Sequence, residues 1–328
     1  MPTRVRSFSK INLGLAVGPA RADGFHALVT AYQTLALRDV VTVSAVRAAQ
    51  TQIRVMANHP GVPRSALGNA ERNTAWKMVA GALDRLGLTA SVEIDIEKSL
   101  PVQGGLGAGS ANAAAALIGL ERELGLTIAP PQRLALAAEV GSDVPLFLLG
   151  GTVLGLGRGE EVYPLPDLPS TPCVVAVPGV GVSTAAAFCD LDARMSSASA
   201  NSGTPLTSGP FADRLRELSC ALAAVWTATG ADLGRPSGSQ SASEPGPTGI
   251  ASTIRPDRVS TRHSGDSPTG GAPASQEDTR SDLAENPFLA LVRTGIENDF
   301  EEVVFQQHPS LRSTKRDLMG SDSSQALY

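Results

Sequence analysis

The chain has 328 residues, of which 42% are hydrophobic, and it carries a formal net charge of -5 at pH 7. This length is enough to bury one large core or two ordinary ones, and we expect two domains. The negative balance argues against nucleic acid as a partner, because a surface that binds the phosphate backbone needs an excess of basic groups. A small anionic ligand stays open, since a few local donors are enough to bind it.

The sequence favours a cytoplasmic protein. The opening segment MPTRVRSFSKINLGLAVG lacks the apolar core and small-residue cleavage site of a secretory signal. No stretch reaches the roughly eighteen uncharged apolar residues of a membrane span, so we expect no membrane partner. Cys173, Cys189 and Cys220 lack metal-ligand spacing, which is typical of unpaired thiols in a reducing compartment.

Strand patterns come first in chain order. The β-branched residues and alternation of VVTVSAV (40–46) and SVEIDIE (91–97) predict strands, and CVVAVPG (173–179) predicts a buried strand that ends in a turn. Helices are predicted over 73–87 and 131–141. Because these elements interleave without strict strand and helix alternation, an α+β fold is favoured over a doubly wound sheet.

Asn73 is expected to cap the helix 73–87 and Gly87 to end it.

The later part of the chain differs in composition. Apart from a predicted helix over 211–226, it is rich in Ser, Gly, Pro and Thr, and we interpret 229–283 as a disordered insert. Patterned sequence resumes at 286 and predicts two helices that meet near His308 and Pro309.

The segment LPVQGGLGAGSANAAAAL (100–117) is a glycine-rich loop between the strand 91–97 and a helix beginning near Ser110. Free amides at a helix N-terminus bind anions, and glycines let a phosphate approach the backbone, so the loop is a candidate phosphate site. It has neither the lysine of a P-loop nor the glycine spacing of a dinucleotide-binding loop. A flexible turn before an Ala-rich core helix is the alternative.

Three polar residues strengthen the interpretation as a phosphate site. Lys10 and Asn12 alternate with Ile11 and Leu13, so they share one face of an N-terminal strand. Asp143 lies at the break between a helix and an apolar segment predicted to be a strand. A lysine and an aspartate beside a phosphate loop are the groups that phosphoryl transfer to an alcohol requires, although each singly has an ordinary structural explanation.

The loop PVQGGLGAGSANAAAAL resembles the P-x-x-x-G-L-G-S-S-S-A-A motif of the superfamily of galactokinase, homoserine kinase, mevalonate kinase and phosphomevalonate kinase, the GHMP kinases. The segments KINLGLAVG, RADGFHALVTAYQTLAL, ERNTAWK and GSDVPLFLLGGTVLGLGRGEEV are similar, in order and spacing, to its branch that acts on a cytidine diphosphate sugar alcohol. That branch uses ATP to phosphorylate the substrate's 2-hydroxyl in the non-mevalonate (methylerythritol phosphate) isoprenoid pathway. The resemblance covers about 1–190 strongly and 286–318 weakly.

The resemblance implies a role for each matching residue. Asp143 matches the aspartate that activates the substrate hydroxyl, and Lys10 matches the lysine beside it. Ser110 is the candidate for a hydroxyl near the β-phosphate or Mg²⁺. The residues that match the ATP phosphate loop are Pro101, Gly104, Gly105, Leu106, Gly107, Ala108, Gly109, Ser110 and Ala111.

The same resemblance implies two base-binding regions. Phe25 and His26 match an aromatic and histidine pair beside cytosine, and the segment PGVGVSTAAAF nominates Phe188 for the other face of the base. Asn12 is a further candidate contact of the substrate. Asn73, Trp76 and Lys77 match the region near adenine, where Trp76 could equally be helix core.

The implied architecture is an N-terminal domain like domain 2 of ribosomal protein S5 (1–165) and an incomplete ferredoxin-like C-terminal domain (166–328). No segment matches the third, glycine-rich motif of the family, so we expect a chain cut off before that motif. The implied state is a monomer or weak homodimer. Two alternatives stay open: a GHMP kinase for mevalonate or homoserine, and a non-catalytic remnant that binds nucleotide.

Overall fold

The computed structural model describes residues 1–20, 24–102, 104–168, 170–199, 219–220 and 298–319. These residues contain a six-stranded sheet in the order β3-β4-β2-β5-β6, with β1 paired to β2. The β3 and β4 pair is parallel and the other pairs are antiparallel. The strands are β1 (Thr3–Ala20), β2 (His26–Arg47), β3 (Gln52–Ala57), β4 (Ala90–Glu97), β5 (Thr152–Leu156) and β6 (Glu161–Pro164).

Helices connect and cover these strands. The first links the parallel strands β3 and β4, and the second follows the glycine-rich loop. Two single 3₁₀ turns, Ser65–Leu67 and Ala70–Arg72, precede the first helix. The α-helices are α1 (Thr74–Leu86), α2 (Ala108–Leu124), α3 (Pro130–Val140), α4 (Leu146–Leu149), α5 (Thr184–Ser199), α6 (Phe300–Gln307) and α7 (Pro309–Met319).

Local signals in the sequence predicted several of these elements. The Asn73 side chain accepts a hydrogen bond from the Ala75 amide over 2.9 Å, and so caps α1. Gly87 ends the helix in the left-handed region, at φ 59°. The predicted strands 40–46 and 91–97 lie within β2 and β4, and the helices α6 and α7 meet at His308 as expected.

Two predictions about apolar segments are wrong. Residues 173–179 form no strand and are mostly exposed, with Val174 at 87% exposure. In the described part of the chain no strand pairs with them, and β-branched residues form a strand only where its amides find partners. The apolar segment after Asp143 forms the short helix α4, and strand structure begins only at Thr152.

Close packing of α2 on the sheet determines where the glycine-rich loop lies. Alternate residues of β4, such as Val92, Ile94 and Ile96, join the alanines of α2 in one buried core. At Gly119 a Cβ atom would lie 2.5 Å from Cγ2 of Val43, so the helix backbone lies directly on β2. The N-terminus of α2 is therefore held against the strands that carry the polar residues of the site.

A smaller apolar cluster joins α5 and α6 to β1 through Val17, Leu191 and Val303. The mixed sheet and its helices confirm the α+β class. The predicted helix 211–226, apart from residues 219–220, and the predicted insert 229–283 lie outside the described residues. The division at residue 165 and the ferredoxin-like domain stay predictions. No helix in the described ranges is long and apolar enough to cross a bilayer.

Candidate active site

The glycine-rich loop has the backbone geometry that an anion site needs. Gly105 and Gly107 have positive φ angles of 72° and 69°, and Gly107 is the N-cap of α2. At Gly104 a Cβ atom would lie 2.6 Å from Cγ of Pro101, so the tight turn excludes a side chain there. Ser110 is partly exposed in the first turn of α2, where free amides and the helix dipole attract anions.

Hydrogen bonds hold both ends of this loop. The amide of Lys10 donates to the carbonyl of Leu106 over 3.0 Å, which joins the loop to β1. The hydroxyl of Thr74 donates to the carbonyl of Gly109 over 2.6 Å, which joins α1 to α2. The loop is therefore fixed relative to the polar residues of β1 before any ligand binds.

Lys10 and Asp143 form the ion pair beside the loop. Nζ of Lys10 lies 3.4 Å from Oδ2 of Asp143, with side-chain exposures of 9% and 32%. A Cβ atom at Gly107 would lie 3.0 Å from Cγ of Lys10, so the loop and the lysine are in contact. The structure thus brings together the two predicted catalytic residues and the predicted phosphate loop. A partly accessible carboxylate beside an ammonium group can accept a proton while the cation offsets developing negative charge.

Asn12 contacts Lys10 directly. Its Oδ1 accepts from Nζ of Lys10 over 2.7 Å, and its Nδ2 donates to Oγ1 of Thr30 over 2.7 Å. The Thr30 hydroxyl in turn donates to the carbonyl of Gly14. The structure therefore uses Asn12 to orient the lysine, a role that the sequence pattern had not indicated.

Tyr32 is a member of the site that sequence reasoning missed. Its hydroxyl donates to Oδ1 of Asp143 over 3.0 Å, and its ring centroid lies 5.7 Å from Nζ of Lys10. Burial, reinforced by the negative charge of Asp143, raises the pKa of the Tyr32 hydroxyl far above its usual value. The available signal was register, because alternation along β2 puts Tyr32 on the same face as Thr30 and opposite Asn12.

The three residues predicted to contact cytosine divide into two groups. His26 and Phe188 are stacked, with ring centroids 4.7 Å apart, and the rings of Phe188 and Phe300 pack nearly perpendicular to each other. Nε2 of His26 lies 2.6 Å from Oδ1 of Asp192, a partner that the sequence did not reveal. Phe25 is half exposed, and its ring lies under the guanidinium of Arg158.

The residues predicted near adenine lie at the start of α1. Asn73 is buried as the helix cap, and its Nδ2 also donates to the carbonyl of Pro63. Trp76 packs against the main core and is partly buried, whereas Lys77 is exposed. The link from Thr74 to Gly109 puts this region next to the glycine-rich loop, and the nucleotide contacts of the three residues stay predictions.

The side chains near the loop suit a metal ion that is held mainly by the oxygens of a bound phosphate. Among the described residues no group of three or more His, Cys, Asp or Glu side chains could hold a metal ion. Mg²⁺ in phosphoryl-transfer sites is commonly bound by one or two protein oxygens together with phosphate oxygens. The Ser110 hydroxyl fits that limited protein contribution.

Part of the chain is similar to a known class of protein. Residues 73–151 match the family model for the GHMP kinases N terminal domain. Residues 73–151 are thus similar to the GHMP kinases N terminal domain, which confirms the predicted resemblance over this range. The matched range includes the start of α1, the glycine-rich loop and Asp143, while Lys10 and Tyr32 precede it.

The chain is also similar to individual proteins over more than half of its length. The chain is 38% identical over 192 residues to 4-diphosphocytidyl-2-C-methyl-D-erythritol kinase of Solibacter usitatus, covering 58% of each chain. It is 41% identical over 191 residues to the protein of that name from Nocardia farcinica, covering 58% of this chain and 60% of the relative. The chain thus spans less than two thirds of the length of these relatives.

Among solved structures, a crystal structure of 4-(cytidine 5'-diphospho)-2C-methyl-D-erythritol kinase is 32% identical, with a TM-score of 0.48. The likeness covers 58% of this chain and 64% of that one.

Proposed function

We propose that this chain is an ATP-dependent kinase that phosphorylates the 2-hydroxyl of 4-diphosphocytidyl-2-C-methyl-D-erythritol, a step of the methylerythritol phosphate pathway to isoprenoid precursors. The observation that carries the reaction class is the Lys10 and Asp143 pair in contact with the glycine-rich loop at the start of α2. The names of the relatives, at 38% and 41% identity, support this substrate.

In this proposal the chain's own residues prepare the acceptor alcohol. The Asp143 carboxylate accepts the hydroxyl proton as the oxygen forms its bond to the γ-phosphorus. Lys10 offsets the negative charge that develops on the transferred group, and Asn12 holds the ammonium in place. The bond between the γ-phosphorus and the bridging oxygen breaks, and ADP leaves with both bonding electrons.

The glycine-rich loop and α2 supply the phosphate-binding amides. ATP bound here would supply the phosphoryl group, and Mg²⁺ bound with it would neutralise its phosphate oxygens. Ser110 is the residue that would contact the metal or the β-phosphate. The open backbone at Gly105, where a Cβ atom would meet nothing within 4 Å, leaves room for a phosphate.

The cytidine head contacts Phe25 and His26 in this proposal. The half-exposed ring of Phe25 offers an aromatic face, and His26, held by Asp192, offers a hydrogen bond to the base edge. Stacking of the base between Phe188 and His26 requires these two rings to separate, since they now stack on each other.

We also propose that the chain acts in the cytoplasm as a monomer or weak homodimer, without a nucleic acid or membrane partner. All three cysteines are free and exposed, as expected in a reducing compartment. The net charge of -5 supports a small-molecule substrate over nucleic acid.

The test is ATP consumption by the purified chain with Mg²⁺ and 4-diphosphocytidyl-2-C-methyl-D-erythritol, beside mevalonate and homoserine. Turnover with the cytidine substrate alone supports the proposal, and turnover with either other alcohol contradicts the substrate. Asp143→Asn should abolish turnover and leave cytidine-ligand binding intact, whereas Asp84→Asn, an exposed carboxylate of α1, should not affect turnover. A folded chain that binds nucleotide without turnover would instead be a non-catalytic remnant.

A further inference from the structure

Tyr32 distinguishes the two oxygens of the Asp143 carboxylate. Its hydroxyl donates to Oδ1 over 3.0 Å, while Oδ2 faces the ammonium of Lys10 at 3.4 Å. The tyrosine is 2% exposed, with Leu146 and Val153 in the same apolar cluster, so the ring has little freedom to move. Oδ1 is therefore engaged by a rigid donor, and Oδ2 is the oxygen beside the cation.

The backbone around Tyr32 leaves space for this ring. At Gly155 on β5, a Cβ atom would lie 2.5 Å from Cε2 of Tyr32. At Gly159 a Cβ atom would lie 2.5 Å from the tyrosine hydroxyl, and its φ of 99° is itself costly for other residues. Gly155 and Gly159, both in the segment GLGRG, thus lie directly against the ring and the hydroxyl of Tyr32, and a Cβ atom at either position would clash with the tyrosine.

We propose that Tyr32 is a positioning residue for phosphoryl transfer, whose hydroxyl orients the Asp143 carboxylate so that Oδ2 faces the acceptor alcohol. This inference rests on the proposed function. Without the hydroxyl, the carboxylate is free to rotate and bring both oxygens toward Lys10, which takes the proton acceptor away from the alcohol. Tyr32 acts through Asp143 and needs no contact with substrate.

Tyr32 remains the donor in its hydrogen bond with Asp143. The tyrosine stays protonated because burial and the Asp143 charge raise its pKa, so its hydroxyl is a constant donor that stabilises the charged carboxylate. The charged groups that face the pair are Lys10 from β1 and Glu160 from the turn between β5 and β6. Glu160 is itself paired with Arg158.

Tyr32→Phe is the decisive variant, since it deletes the hydroxyl and keeps the ring that fills the core. A hydrogen bond to a charged group is worth roughly a tenfold change or more, so we expect kcat to fall by about that factor. KM for ATP should stay unchanged. Tyr163→Phe on β6, whose side chain is half exposed, should match the parent chain in both quantities.

A second readout is independent of turnover. The chemical shift of the Asp143 carboxyl carbon, measured at fixed pH by NMR of labelled aspartate and assigned with Asp143→Asn, should change in Tyr32→Phe and keep the parent value in Tyr163→Phe. An unchanged chemical shift in Tyr32→Phe, or an unchanged kcat in an active chain, overturns the proposal. If the parent chain is inactive but its Asp143 signal still changes in Tyr32→Phe, the proposed kinase function is wrong. The coupling of the two side chains is then supported independently of it.

Discussion

Nζ of Lys98 lies 2.5 Å from Oδ2 of Asp39, and the two side chains are only 4% and 0% exposed. The other carboxylate oxygen of Asp39 accepts from the amides of Ser99 and Leu100, each over 2.8 Å, where the chain enters the glycine-rich loop. Asn112, from the second turn of α2, also donates to Asp39. One buried carboxylate therefore anchors both the entry to the loop and the helix that follows it.

Asp39→Ala should destabilise the fold strongly. It leaves Lys98 buried without a counter-charge and two amides without an acceptor, which typically costs about 3–5 kcal/mol of unfolding free energy. Urea denaturation of the parent and variant measures this difference. Glu97→Gln is the control, because it breaks an ion pair with Arg4 in which the side chains are 63% and 51% exposed. The control should lose less than about 1 kcal/mol, and equal losses would contradict the anchoring role of Asp39.

Gly107→Ala should reduce activity more than stability. The left-handed backbone costs a residue with a Cβ atom about 1–2 kcal/mol. The new methyl group would also lie 2.8 Å from Cζ of Phe147 and 3.0 Å from Cγ of Lys10. Because displacement of a catalytic group by about 1 Å costs roughly a hundredfold, kcat should fall by about that factor.

Gly125→Ala is the matched control for that variant. Gly125 ends the same helix at a φ of 61°, with nothing within 4 Å of its added Cβ atom. The unfolding free energy of this variant should fall by a similar amount, roughly 1–2 kcal/mol, and its kcat should not change. If both alanine variants keep full activity, the contact between the loop and Lys10 has no catalytic importance.

Asp192→Ala should weaken cytidine binding. The carboxylate holds His26 at 2.6 Å, and losing a hydrogen bond to a charged group should raise Kd for cytidine diphosphate roughly tenfold. Calorimetric titration measures this, with ADP as a ligand whose affinity should not change. Asp190→Ala, also on α5 and bonded to Gln307, should bind both ligands like the parent chain. Equal weakening of ADP would indicate general damage to the fold.

Asn73→Ala tests whether Asn73 stabilises the fold or contacts the nucleotide. Loss of the helix cap costs about 1 kcal/mol of unfolding free energy. Asn73→Asp keeps the oxygen that accepts from Ala75 but loses the Nδ2 donor to the Pro63 carbonyl, so it should recover only part of that stability. If both variants bind ATP like the parent, Asn73 has only a structural role.

The sequence predicted the parts of the site that local patterns encode. Alternation in β1 puts Lys10 and Asn12 on one face, and the glycine pattern locates the loop before α2. Asp39 and Tyr32 were missed because their partners, Lys98 and Asp143, are distant in the chain and meet only in the folded sheet. Residues 173–179 were wrongly predicted to form a strand. Their β-branched side chains favour strand structure, but a strand also needs a partner strand, which local sequence does not supply.

The hydrogen bond between the Lys10 amide and the Leu106 carbonyl has a consequence for how specificity could change over evolutionary time. In the proposed kinase, this bond joins the phosphate loop to the acceptor side of the site through main-chain atoms, which side-chain substitutions do not remove. The wall formed by His26 and Phe188 is built from exchangeable side chains, and α5 carries one half of it. A lineage could therefore exchange one alcohol substrate for another by altering that wall, while the alignment of the transferred phosphate with its acceptor is inherited unchanged.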